Sequence, residues 1–137
     1  ERRLKSLDMA RLCDSIWQDL QPCDPLQFDQ ALKCLVVSDE SVECAYILDR
    51  EGIQVTETLV PPNRPAPASR LFSPAPLGSD HSNKEYFYCL ADAGFERYTT
   101  EPYLSLASGR LCRTVSCAFV AANGERFILG LDLQIEG

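Results

Sequence analysis

An Asn-Gly pair near the C-terminus, Asn123-Gly124, constrains the fold more than any other feature of the chain. It separates two long β-rich runs, Leu111 to Ala121 and Arg126 to Ile135. Asn-Gly is a preferred two-residue connection between antiparallel strands because both residues accept the positive φ of a type I′ turn. The C-terminal part of the chain is therefore predicted to form a β-hairpin.

The first part of the chain has helical periodicity instead. Residues 1–21 contain neither proline nor glycine and predict one long N-terminal helix. Its apolar stripe includes Leu4, Leu7, Ile16 and Leu20. Pro22 ends this helix, and Asp24 followed by Pro25 predicts the N-cap and first turn of a second helix.

A strand follows the helices. Val42 to Leu48 is a short apolar run and predicts a mostly buried strand. Asp49 to Gly52 predicts a turn, and residues 53–60 predict the return strand of a hairpin.

The middle of the chain is rich in proline. Residues 61–79 hold most of the nine prolines, and so long a loop within a compact domain is uncommon and often functional. A linker between two domains is the alternative interpretation. Ser82 and Glu85 then predict a capping box for a short helix that ends at Gly94.

The order of these elements predicts the fold class. Two helices, two strands, a long loop, a helix and three further strand regions, the first over residues 97–106, indicate an α+β fold with one antiparallel sheet of about five strands. A chain of 137 residues favours one domain over residues 1–137. Within it, residues 61–91 form a loop and helix that cover the sheet.

Charge and composition exclude several functions. The chain carries 20 acidic against 13 basic residues, a net charge of −7, which argues against binding nucleic acid through its phosphates. No stretch of eighteen apolar residues predicts a membrane span, and no signal peptide is visible. Phosphate-loop, HExxH and GxSxG motifs are absent, so we predict no catalytic residue, no metal and no cofactor.

The seven cysteines are the unusual feature of the composition. Their number is odd, no pair has CxxC spacing, and His81 is the only histidine. We interpret most of them as small buried apolar residues of a reducing compartment, which favours the cytoplasm. Structural disulfides and a metal-binding or catalytic thiol are the alternatives, and the last would need His81 as its base.

Aromatic and short polar residues alternate in two segments, residues 80–87 and 101–105. This mixture is typical of a small-molecule pocket. The alternative is that Tyr86, Phe87 and Tyr103 are core aromatics whose hydroxyls bind backbone groups.

The order of short motifs in the second half resembles the Cache (PDC-like) sensor domains, PAS-like ligand-sensing modules of bacterial signal transduction. The similar segments are Asp80-x-Ser82-x-Lys84-x-Tyr86-Phe87, Glu101-Pro102-Tyr103-Leu104-Ser105, Thr114-Val115-Ser116, Asn123-Gly124 and Leu129-Gly130-Leu131-Asp132-Leu133. Asp49 to Gly52 resembles the D-x-x-G turn of the family. Lys84 stands where the family usually has arginine, and the sequence lacks the fuller Trp/Tyr/Arg/Asp set of amino-acid-binding members.

The resemblance implies a PAS-like sheet with a long N-terminal helix and a ligand pocket beneath residues 61–91. The expected ligand residues are Lys84 and Tyr86 from the cover, with Tyr103, Ser105, Thr114, Ser116 and Asp132 from the sheet. Lys84 is expected to hold an anionic group and Asp132 to accept a hydrogen bond from the ligand.

The resemblance also implies partners. A homodimer through the N-terminal helix and a covalently attached output domain, such as a GGDEF or EAL domain of cyclic-di-GMP signalling, are expected. A periplasmic part of a membrane-anchored sensor is the alternative location. The alternative function is a dimerisation or assembly domain that binds no ligand.

Overall fold

The computed structural model describes residues 11, 14–16, 18–21, 23–38, 41–62, 71, 73–106 and 108–135. Residues 11, 14–16 and 18–20 are helical, in agreement with the predicted N-terminal helix. The rest of that helix, including Leu4 and Leu7, lies outside the described residues. None of the described helices is long and apolar enough to span a membrane.

The second helix starts where the sequence predicts it. A 3-10 turn, Pro25–Gln27, leads directly into helix α1, Phe28–Ser38. Asp24 is the N-cap: its carboxylate accepts from the backbone N–H of Leu26 at 3.1 Å, while Gln27 Oε1 accepts from the backbone N–H of Asp24 at 2.9 Å. This reciprocal pair satisfies donors that a helix N-terminus leaves unpaired.

The sheet confirms the predicted α+β class with five antiparallel strands. The strands are β1 (Val42–Leu48), β2 (Arg97–Thr99), β3 (Tyr103–Leu104), β4 (Leu111–Val120) and β5 (Arg126–Gln134). Their order is β1-β5-β4-β2, and β3 pairs with β4 beyond Pro102. The predicted hairpin at Asn123-Gly124 joins β4 to β5 in register from Val120–Arg126 onward. Its connection is not the two-residue type I′ turn, because Gly124 has a positive φ of 85° and Asn123 does not, and the Ala121 N–H closes the loop on the Glu125 carbonyl at 2.9 Å.

Each face of the sheet carries its own core. The α1-face core packs helix α1, Ile16 and Leu20 against the sheet. Phe28 contacts the rings of Phe119 and Phe127 edge-on at 5.7 and 5.0 Å between centroids. The cavity-face core packs helix α2, Glu85–Ala91, against the other face. Strand β1 is buried along its whole length because it lies between the two.

The predicted return strand over residues 53–60 is wrong. This segment forms no continuous ladder but makes isolated bridges, two with β1 and one between Ile53 and Asp80. Thr56 Oγ1 accepts the backbone N–H of Ile47 at 3.2 Å, so a side chain takes the place of a backbone partner and interrupts the ladder. The backbone of Gln54 pairs instead with Ser79 and Gly78 in the cover, at 2.9 and 2.8 Å.

The predicted capping box of Ser82 and Glu85 is also wrong. Lys84 is the N-cap of α2 and makes no side-chain cap bond. A turn closed by the Lys84 N–H on the His81 carbonyl, at 2.9 Å, comes before the helix and places Ser82 too early to cap it. The Glu85 carboxylate accepts from the Tyr98 hydroxyl at 2.9 Å instead.

Candidate ligand-binding site

A cavity of about 460 Å³ lies between the sheet and the cover. Strands β1, β3 and β5 form one wall, and residues 73–86 with Thr58 form the other. Five of the seven residues predicted to bind a ligand line it: Lys84, Tyr86, Tyr103, Ser105 and Asp132. The sheet and the cover thus meet where the sequence predicts a pocket.

The floor of the cavity is the ring of Tyr46. Tyr46 pairs with Gly130 across β1 and β5, and a Cβ on Gly130 would lie 2.4 Å from Tyr46 Cε2. Only glycine leaves room for the ring to lie flat on the neighbouring strand. Gly130 therefore determines where the floor of the cavity lies.

Asp132 places a buried carboxylate in the cavity wall. Its Oδ1 accepts from Thr114 Oγ1 at 2.8 Å and from the Tyr46 hydroxyl at 3.5 Å, and its Oδ2 accepts from the Cys44 thiol at 3.4 Å. Burial raises the pKa of Asp132 to about 6, and the hydrogen bonds from Thr114 and Cys44 oppose this rise. Oδ2 has only a weak thiol donor, so the carboxylate keeps capacity to accept from a ligand.

Thr114 and Ser116 support the site from behind the cavity wall. Thr114 Oγ1 is hydrogen-bonded to both Asp132 and the Tyr103 hydroxyl. Ser116 Oγ donates to the backbone carbonyl of Tyr86 at 2.7 Å and so ties α2 to β4. Neither side chain lines the cavity, because the groups they bind lie between them and the open space.

His81 is a cavity residue that the sequence did not single out as a ligand contact. Its ring stacks on Tyr46 at 5.1 Å between centroids. Nδ1 lies 2.6 Å from the Tyr86 hydroxyl and Nε2 lies 2.9 Å from Gln54 Oε1. Neither ring nitrogen faces a thiol or carboxylate at these contacts, so His81 is not arranged as the base of a cysteine nucleophile. Burial lowers the pKa of His81, and Lys84 adds to this effect.

The D-x-x-G turn holds the cover in place. Asp49 Oδ1 accepts from the backbone N–H groups of Glu51 and Ile53 at 2.8 and 3.0 Å. Gly52 has a φ of 89°, and its carbonyl accepts from the backbone N–H of His81 at 2.8 Å. The turn between β1 and the next segment therefore positions His81.

The cysteines contribute packing and polar contacts: besides the Cys44 thiol on Asp132, the Cys23 thiol donates to the Asp19 carbonyl at 3.2 Å and Cys34 Sγ accepts from Gln30 Nε2 at 3.8 Å. None of the six described cysteines forms a disulfide. Cys44, Cys112 and Cys117 are buried, and burial raises the pKa of the Cys112 thiol to about 12. Within the described ranges, no group of three or more His, Cys, Asp or Glu side chains has the arrangement of a metal site.

The comparison with known proteins rests on structure. No family model matches the sequence, and no curated protein matches it. Solved structures of sensor proteins do match.

Three of these structures illustrate the likeness. The YkuI protein of Bacillus subtilis, with an EAL domain and in complex with c-di-GMP and calcium, is 15% identical over 96% of this chain, with a TM-score of 0.60. The ligand-binding domain of the amino acid chemoreceptor PctB of Pseudomonas aeruginosa PAO1, in complex with L-Arg, is 16% identical over 94%, with a TM-score of 0.58. An extracellular ligand-binding receptor from Desulfohalobium retbaense is 14% identical over 91%, with a TM-score of 0.58.

These likenesses confirm the predicted Cache-like fold. The matches cover 32%, 45% and 21% of the three solved chains, so this chain spans less than half the length of each.

Proposed function

We propose that residues 1–137 form a ligand-sensing regulatory module of a bacterial signalling protein, with the cavity as its small-molecule site and no catalysis of its own. The observation that carries the proposal is the 460 Å³ cavity, in which the buried Asp132 carboxylate and three tyrosines meet. Ligand pockets have volumes of about 300–1,000 Å³ and a few converging polar groups. Neighbours described as ligand-binding domains support the same role.

Three charged side chains line the cavity, and one of them is the exposed Asp80 carboxylate, whose Oδ1 accepts from the Ser82 backbone N–H at 2.8 Å. Asp132 accepts from the ligand inside the cavity, and the exposed Lys84 lies at its edge. Lys84 is the described cation among the lining residues, so an anionic group would bind at the edge rather than beside Asp132. Tyr86, Tyr103 and Ser105 complete the proposed contact set.

Signal transmission is proposed to run through the sheet to the N-terminal helix. Ile16 and Leu20 pack in the α1-face core, across the sheet from the cavity. A ligand that favours one arrangement of the sheet would therefore favour one arrangement of this helix. We further propose that the helix passes the signal to a covalently attached output domain. The EAL domain of YkuI supports an output domain of cyclic-di-GMP signalling.

Cellular location belongs to the proposal as well. The extracellular receptor among the similar structures supports the periplasmic alternative. The cytoplasmic location predicted from the cysteine content has no support in these comparisons. We therefore propose the periplasmic location for the module.

A binding screen tests the ligand proposal. We expect a small polar compound, from a panel of organic acids, amines and purines, to raise the melting temperature. Asp132→Asn should remove the effect of a hit that contacts the carboxylate. Asp29→Asn, an exposed position on α1, makes the same charge change on the other face and should leave the shift intact. Failure of every compound to bind would contradict the proposal.

An assembly domain is the second candidate because the helices form a groove. A space of about 340 Å³ is lined by Ser15, Ile16, Asp19, Leu20, Ala31, Leu32, Cys34 and Leu35. Ile16 and Leu20 are buried in the core, so a dimer seam would use the neighbouring surface. Light scattering of two variants tests the assembly function. Cys34→Glu places a charge in the groove, and Val37→Glu places the same charge at an exposed α1 position outside it. Dissociation by Cys34→Glu alone favours assembly, and an unchanged dimer excludes the groove as the seam.

A further inference from the structure

The amide of Gln54 is buried and its orientation is fixed. Nε2 lies within hydrogen-bond distance of three acceptors that share its two protons: the Thr56 carbonyl at 2.8 Å, Thr58 Oγ1 at 2.9 Å and the Ala75 carbonyl at 3.2 Å. Two of these partners are backbone oxygens, which only accept. A flipped amide would place oxygen against oxygen, so Gln54 Oε1 must face His81.

The Gln54 amide in turn fixes the tautomer of His81. An amide oxygen only accepts, so His81 Nε2, at 2.9 Å, carries the proton. In the neutral ring Nδ1 is then an acceptor, and the Tyr86 hydroxyl donates to it at 2.6 Å. The only hydroxyl proton of Tyr86 is therefore directed into the cover and not into the cavity.

The other hydroxyls on the cavity wall follow the same pattern. Thr114 Oγ1 donates its proton to Asp132 at 2.8 Å, so the Tyr103 hydroxyl must donate to Thr114. The Tyr46 hydroxyl donates to Asp132 Oδ1 at 3.5 Å. Each of the three tyrosines thus presents oxygen lone pairs to the cavity.

Two further hydroxyls on the cavity wall also donate to carbonyls of the protein and not into the cavity. Thr58 Oγ1 donates to the Ala75 carbonyl and Ser79 Oγ donates to the Pro76 carbonyl, each at 2.6 Å. Thr58 and Ser79 both line the cavity. The polar wall is therefore built mostly of acceptors, with a carboxylate among them.

We infer that Gln54 and His81 are specificity-determining residues: they hold the Tyr86 proton inside the protein, so the cavity selects a ligand that donates, such as an amidinium or primary ammonium group. The inference rests on the proposed function of the cavity. A carboxylate inside it would meet the phenol lone pairs and Asp132. Turning the Tyr86 hydroxyl toward that carboxylate would leave Nδ1 of His81 without its donor unless His81 and then Gln54 also reverse. A reversed Gln54 amide gives up the hydrogen bonds of its two N–H protons and places its oxygen against the Thr56 and Ala75 carbonyls.

The first test is a nitrogen-15 spectrum of the His81 ring. The chain has one histidine, so the ring signals belong to His81, and their couplings to the ring protons Hδ2 and Hε1 distinguish Nε2 from Nδ1. We expect the shifts of a neutral ring with the proton on Nε2. Tyr86→Phe should keep that pattern, because Gln54 and not Tyr86 sets it. A proton on Nδ1, in either protein, would overturn the inference.

The second test compares benzamidinium with benzoate, two probes of similar shape and opposite hydrogen-bond character. At 0.15 M salt, where the Debye length of about 8 Å limits the contribution of distant surface charges, we expect benzamidinium to bind at least about tenfold more tightly, the effect of about one hydrogen bond. His81→Phe keeps a flat ring beneath the cover but frees the Tyr86 proton. It should reduce the preference severalfold.

The outcomes separate the inference from the function on which it rests. Stronger binding of benzoate in the cavity of the unmodified chain would overturn the inference and leave the cavity a ligand site. Absence of binding by either probe, with the proton found on Nε2, would support the hydrogen-bond direction and count against the proposed function. If His81→Phe does not fold, the nitrogen-15 spectra and the binding of the two probes to the unmodified chain still test the inference.

Discussion

Gly130 shows how one residue sets the shape of the cavity. A Cβ at this position would lie 2.4 Å from Tyr46 Cε2 and 2.6 Å from Cζ, so the Tyr46 ring would have to leave the sheet. We predict that Gly130→Ala lowers the free energy of unfolding by about 1–3 kcal/mol, the usual cost of overpacking. Urea denaturation measures this loss. In a Tyr46→Ala background, Gly130→Ala should lower the free energy of unfolding much less. Equal losses in the two backgrounds would contradict the contact between Gly130 and the Tyr46 ring.

Asp132 predicts a pH dependence with a definite sign. Its pKa rises from 3.8 to about 6 on folding, through burial and the nearby Glu43, against the hydrogen bonds of Thr114, Cys44 and Tyr46. Between these values the folded protein binds more protons than the unfolded chain, so Asp132 lowers stability as pH rises from about 4 to 6. The full effect is about 3 kcal/mol by linkage.

The measurement is the difference in unfolding free energy between the unmodified chain and Asp132→Asn across this range. Subtraction is necessary because His81, whose pKa is lowered, makes the folded state more stable as pH rises. Asp132→Asn removes only the Asp132 contribution. A difference that stays constant from pH 4 to 7 would show that the carboxylate titrates as in the unfolded chain.

The sequence predicted the site residues unevenly. Tyr86, Tyr103 and Asp132 could be predicted because short motifs place aromatic and acidic side chains on the cover and on neighbouring strands. Gln54 could not, since it meets His81 only through the fold, 27 positions along the chain. Ser116 lies on the sheet face that carries the cavity, but its hydroxyl donates to the backbone carbonyl of Tyr86 and not into the cavity.

At the scale of elements, the turn at Gly52 connects the sheet to the cover. Gly52 has a φ of 89°, and a Cβ there would lie 2.9 Å from Ser82 Cα. Gly124 has a similar φ of 85° but open space around it. We predict that Gly52→Ala and Gly124→Ala share a backbone cost of about 1–2 kcal/mol, and that Gly52→Ala costs more.

Amide hydrogen exchange identifies the cause of that extra cost. Gly52→Ala should speed exchange at the His81 amide, which donates to the Gly52 carbonyl at 2.8 Å. In Gly124→Ala, the exchange rate of the His81 amide should change only by as much as the loss of global stability accounts for. Equal costs for the two substitutions would show that the turn does not press against Ser82.

Elements were predictable where the local sequence alone determines them. The Asn-Gly hairpin and the Asp24 cap belong to this class, since each uses neighbours within a few residues. The segment over residues 53–60 has strand-like composition, yet its backbone pairs with the cover on one side and its Thr56 hydroxyl replaces a ladder partner on the other. Those partners lie far along the chain or depend on a rotamer, so periodicity does not reveal them.

At the scale of the whole molecule, the sheet separates two cores of different extent. Strand β5 is buried from Phe127 to Leu133 and pairs on both sides, with β1 and β4. The cover contributes a short helix with three buried residues, Tyr86, Phe87 and Leu90. Local opening costs less where fewer apolar contacts are lost, so the cover should open without the sheet.

Native-state hydrogen exchange tests this order of stability. We predict that the amides of His81 and Phe87 are at least about tenfold less protected than those of Leu129 and Leu131, which should exchange only by global unfolding. A low concentration of urea should lower protection in β5 and leave the cover nearly unchanged, because a small opening exposes little surface. Equal protection would mean that the cover and sheet unfold together. A cover that opens separately gives a ligand a route to the buried Asp132 while the sheet stays intact.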